Sequence, residues 1–155
     1  MSHDTPRLSV VGGICLAMSV ADNFAQTERQ GPVAVIPVQD FLARGPVKLT
    51  ASELRSLLMG ATTRGPHESG GTSERRYGTD GTWNGRDFVG ASGQFDVSAT
   101  WRVNEKDQVC YSGTATGGAV GKTYRFSNCS DWYKLGEHYY VLGERSPALL
   151  RQVAR

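Results

Sequence analysis

Three scarcities narrow the field. Among 155 residues there are three cysteines, none spaced as Cys-x-x-Cys and none set beside a histidine cluster, which argues against a redox dithiol and a zinc site. Neither charge sign prevails: the net charge is +2 with acids and bases interspersed, so the basic footprint of a nucleic-acid binder is missing. No long apolar run is present either. The stretch over residues 8–20 falls short of the roughly 20 residues that a membrane-spanning helix needs.

Catalytic and nucleotide motifs are lacking too. Gly117, Gly118, Gly121, Lys122 and Thr123 invite a phosphate-loop reading, but Thr116 stands where the first glycine belongs. Around Ser92 the sequence is Gly90-Ala91-Ser92-Gly93, one residue short of a nucleophile elbow. His67-Glu68 and Glu137-His138 are His/acid neighbours; on a strand such neighbours point to opposite faces and do not chelate. Asp80, Asp87 and Asp96 supply carboxylates without a marked pair. Asn128-Cys129-Ser130 fits the glycosylation tripeptide, but Cys129 is better used in a bridge. The expectation is a chain that is not an enzyme and needs no cofactor or metal.

What is present begins with an export signal. A polar start to Arg7 is followed by the apolar and small residues 8–20 and by Ser19-Val20-Ala21, with small side chains where a signal peptidase inspects them. Residues 1–21 are expected to be a cleaved signal peptide, with a second possible cut after Ala25, and the mature chain to be periplasmic or secreted in a bacterium. Two cysteines then remain, Cys110 and Cys129, which are expected to pair in an oxidising compartment.

Over residues 93–103, Phe95, Val97, Ala99, Trp101 and Val103 alternate with Gln94, Asp96, Ser98, Thr100 and Arg102, the period of a strand with one buried face. The polar residues 104–108 form a loop of about five, and Val109-Cys110-Tyr111 returns as the second strand of a hairpin. Upstream, Thr50 and Glu53 make a capping box, Leu49 and Leu54 a hydrophobic staple, and Leu54, Leu57 and Leu58 one stripe stopped by Gly60. A helix this short must lie on something, and the sheet is the natural partner.

The other segments read less sharply. Residues 22–48, with Pro32, Pro37 and Pro46, are expected to be an extended strap without helix or central strand. In 61–93, short strands are expected at 75–78, 82–83 and 87–90, with Asp80-Gly81 and Asn84-Gly85 as hairpin turns and 67–73 as a loop. Residues 114–121 read as a flexible loop, 122–129 as a strand, and 132–135 with 138–142 as a last pair. Ser146-Pro147 opens either a frayed tail or a short helix over 146–155. The fold class is therefore mainly β: a small antiparallel barrel or sandwich, lipocalin-like, over 49–145 with one short helix packed on it.

Aromatic residues are the least ordinary feature, since Tyr and Trp bury large area while keeping a polar handle. Trp83, Trp101, Tyr111, Tyr124 and Trp132 are the candidate ligand contacts, although aromatics on strand faces ordinarily belong to the core. Trp132 and Tyr133 point to opposite sides of a strand, so one of them is expected to be exposed.

The helix from Leu49 to Gly60, Tyr77-Gly-Thr-Asp-Gly81, Thr100-Trp-Arg-Val103, Val109-Cys110-Tyr111, Cys129 and Tyr139-Tyr140 follow in that order. Together they resemble the small secreted proteobacterial proteins grouped as domain of unknown function 995, over residues 49–142. The resemblance implies a periplasmic β-domain with a leading helix and a cysteine pair, and implies no activity. The functional expectation is a non-enzymatic domain that binds a small molecule or envelope component. The alternative is a protein-binding module such as a peptidase inhibitor, presenting residues 22–38 to a secreted metallopeptidase. No nucleic-acid partner and no membrane span in the mature chain are expected.

Overall fold

The structure is a computed structural model and describes residues 33–143 and 147–155; the expected signal peptide and its cleavage sites lie outside the described residues. Ten strands and two short helices follow in the order β1 (Val35–Ile36), α1 (Val38–Ala43), β2 (Val47–Lys48), α2 (Ala51–Leu58), β3 (Thr62–Pro66), β4 (Thr72–Tyr77), β5 (Thr82–Val89), β6 (Gly93–Val103), β7 (Gln108–Gly117), β8 (Lys122–Leu135), β9 (His138–Leu142) and β10 (Ala148–Ala154). From β3 to β10 each strand pairs antiparallel with the next, and β10 returns to pair with β3. The result is a closed eight-stranded meander, which removes the sheet edges that an open sandwich would keep.

The alternation in β6 sets the register. Val97, Ala99, Trp101 and Val103 face Ala115, Gly113, Tyr111 and Val109 of β7, so one parity of each strand points inward. The hairpin turn lacks glycine, and Asp107 takes the left-handed conformation at φ 55°. Asp tolerates that region because its short polar side chain bonds locally. Here its carboxylate accepts from the Ala51 amide at 2.7 Å, which ties the hairpin to the first turn of α2. Cys110 and Cys129 stand directly opposite on β7 and β8 and are joined by a disulfide. At a sequence separation of 19, the bridge contributes roughly 3 kcal/mol, chiefly by restricting the unfolded chain.

Helix α2 is built as its sequence dictates. The Thr50 hydroxyl accepts from the Glu53 amide, and the Glu53 carboxylate accepts from the Thr50 amide at 2.8 Å. The Thr50 amide and the Thr50 hydroxyl, both donating to the Glu53 carboxylate, hold the pKa of that carboxyl below its ordinary value. Leu49, Leu54 and Leu58 are buried against Tyr77, Val109, Tyr111 and Trp132, so the helix closes the barrel end that carries the 78–81 and 104–107 turns.

Five expectations are corrected. Residues 38–43 form a helix inside the supposed strap: Pro37 occupies its N-cap and Pro46 lies beyond its last turn, so neither interrupts it. This α1, with Ile36, covers the outer face of β8, β9 and β10, where Phe41, Tyr140, Ala148 and Leu150 form a second core. Tyr133 meets Phe41 edge-on at 5.5 Å, which shields it although Trp132 takes the inside. Asn84-Gly85 is not a turn but the middle of β5. A Cβ at Gly85 would run into the Glu74 carbonyl, so the glycine permits β4 and β5 to approach. The flexible loop expected over 114–121 shrinks to 118–121, since 114–117 continue β7. Residues 148–154 are a strand, not a helix or frayed tail, because β10 supplies the pairing that closes the barrel.

Candidate functional site

The half of the barrel away from α2 holds a cavity of about 580 Å³, within the size range of small-molecule sites. Its rim carries His67 and Glu68 from the β3–β4 turn and Gly143 after β9. Its walls combine an aromatic side with a charged side.

The aromatic side is a run of touching rings. Trp83 of β5 stacks on Tyr111 of β7 with centroids 4.3 Å apart and planes 29° from parallel, and Phe126 of β8 meets Trp83 edge-on at 5.9 Å. Beneath them the Trp132 indole donates to the Tyr111 hydroxyl at 3.3 Å, and the Tyr77 and Tyr111 oxygens lie 3.3 Å apart. Burial raises the pKa of both tyrosines, Tyr111 well above the ordinary value, so both remain protonated and hydrogen-bonding at neutral pH.

The charged side is created by strand parity. Ser73, Arg75 and Tyr77 on β4 face inward, opposite Asp87, Gly85 and Trp83 on β5. Arg75 is buried and ion-pairs with the buried Asp87 carboxylate. Its Nη1 donates at 2.8 Å to the carbonyls of both Glu74 and Arg86, and its guanidinium carbon lies 4.8 Å from the Trp83 ring centre. His67 Nε2 approaches the other oxygen of Asp87 at 3.6 Å. Arg75 Nε is buried without a partner, and the Trp83 indole N–H leans on the Tyr77 oxygen without a well-formed hydrogen bond. Arg151 of β10 projects into the same space, its Nη1 donating to the Pro66 carbonyl at 2.6 Å and weakly to that of Leu150. Burial lowers the pKa of this guanidinium. A concave surface that combines apolar rings with hydrogen-bond donors has the chemistry to accommodate a molecule with an apolar body and a group that accepts hydrogen bonds.

Of the five aromatic candidates, Trp83, Tyr111 and Trp132 line the cavity. Trp101 packs edge-on against Tyr77 and donates from its indole to the Gly78 carbonyl at 3.0 Å, which fixes the β4–β5 turn and leaves it outside the cavity lining. Tyr124 is 52% exposed and meets Phe95 at 6.0 Å, away from the cavity, because the β6–β8 strands extend past the enclosed part of the barrel. Arg75, Asp87 and Arg151 are the lining residues that sequence reasoning passed over as a site. The available signal was a charged residue on the inward parity of a strand, readable only once the register is known.

Among the described residues no helix is long and apolar enough to cross a membrane. Comparison with protein-family models, with curated proteins and with solved structures finds no match to this chain.

Proposed function

We propose that this chain is a non-enzymatic carrier or sensor domain that binds a small molecule inside its barrel, and that it works outside the cytoplasm. The observation that carries the first part is the 580 Å³ cavity with the stacked Trp83–Tyr111 pair on one wall and hydrogen-bonding cations on another. A core meant only for stability is filled to crystal-like density. The Cys110–Cys129 disulfide supports the second part, since such bridges persist in oxidising compartments. The similarity to domain of unknown function 995 agrees with that location and belongs to the same proposal.

Quenching of tryptophan fluorescence by 2-naphthylmethanol tests the cavity. The wild-type chain is expected to show saturable one-to-one quenching, and Ala115→Trp, which fills the cavity from β7, to abolish it while the melting temperature is retained. Undiminished quenching in that variant contradicts an intrabarrel site. Export is tested by mass spectrometry of material from a bacterial host. A mature N-terminus after Ala21 or Ala25 is expected, and recovery of intact Met1 with Cys110 and Cys129 both alkylatable refutes it. The inhibitor reading depends on residues 22–38, of which 22–32 lie outside the described residues; Val35 and Ile36 are engaged with β10.

A further inference from the structure

The charges that face the cavity do not cancel. Arg75 and Asp87 neutralise one another in a buried pair, with His67 on the far oxygen of the same carboxylate. Glu68 at the rim is itself partnered. Arg151 is different: among the described residues no carboxylate lies within ion-pairing distance of it. Among the described residues its hydrogen bonds to protein leave from Nη1 and go to two neutral carbonyls. Among the described residues the rest of the guanidinium fork has no hydrogen-bond partner, and a planar fork of N–H donors matches a carboxylate. A partly buried cation without a counterion costs free energy that a bound anion returns, which is how a site selects charge. Arg75, one strand removed from Arg151 across β3, adds a second guanidinium to the same side of the cavity, its Nε buried without a partner among the described residues. The Trp83–Tyr111 stack on β5 and β7 lines the same cavity and offers apolar ring surface to a ring or chain.

We propose that the cavity takes a small monoanion, a carboxylate on an aromatic or otherwise apolar body, with Arg151 holding the charged end and Trp83 and Tyr111 contacting the body. This assignment rests on the reading of the cavity as a ligand site and adds the chemistry of the ligand. A neutral molecule of the same shape satisfies the stack and leaves Arg151 uncompensated.

A matched pair of probes separates the two claims: 2-naphthoate and 2-naphthylmethanol, titrated by calorimetry and tryptophan quenching into the full chain with its disulfide intact. Naphthoate is expected to bind wild type at least about tenfold more tightly, the scale of one charge-assisted hydrogen-bonded contact. Arg151→Gln is expected to remove that preference while changing naphthylmethanol affinity by less than about twofold, and Arg151→Lys to restore part of it. Equal wild-type affinities for the two probes overturn the anion assignment and leave the cavity site standing. Absence of saturable binding by either probe overturns both. Should Arg151→Gln fail to fold, the wild-type ratio alone decides.

Discussion

The two halves of the barrel interior obey opposite rules. At one end Leu54 and Leu58 are fully buried by Tyr77, Val109 and Trp132, a plug in which the side chains make no demand that the core does not meet. At the other end Arg75, Asp87 and Arg151 occupy positions of the same inward parity where an all-apolar packing would serve stability better. Both halves share the same strands and the same alternation. What separates them is that one is stoppered by a capped helix and the other is left with a cavity lined by charged side chains.

Two substitutions sharpen this contrast. Leu54→Ala in the plug is expected to lower unfolding stability by about 3 kcal/mol, since deleting a fully buried leucine loses transfer free energy and leaves a cavity. Urea unfolding checks it, and a loss under about 1 kcal/mol means the end relaxes and is not close-packed. Arg151→Met in the polar half is expected to leave the ligand-free protein equally stable or more stable, because it removes a partly buried charge that forms no ion pair among the described residues while preserving the apolar stem. A substantial loss in the same urea assay would show that Arg151 is there to fasten β10 to the Pro66 carbonyl, and the two halves would differ less than their chemistry suggests.

Much of the plug was legible in the chain. The Thr50–Glu53 box, the Leu49–Leu54 staple and the stripe of leucines are signals within one helical turn or two, and such signals survive in nearly any tertiary setting. The β6–β7 hairpin was legible for the same reason. The polar half was not, although Asp87 and His67 were noticed singly. Their meaning depends on Arg75 standing across from Gly85 on the neighbouring strand and on Arg151 arriving from the far end of the chain. Asn84-Gly85 misled because the same dipeptide serves a turn, where glycine supplies positive φ, and a close strand approach, where it supplies the absence of a Cβ.

By itself the sequence determined the inward parity of β6, the capped helix, the Asp80-Gly81 turn and a pair of cysteines expected to bridge, features carried by residues near one another in the chain. Tertiary structure decided that 148–154 is a strand, that α1 covers the outer face of β8 to β10, and that three charged residues share one cavity. These depend on which distant strand supplies the hydrogen bonds and the counter-charge, and nothing in the local spacing of a short apolar segment such as Leu149-Leu150 records whether its partner is another turn of helix or a strand that closes a barrel.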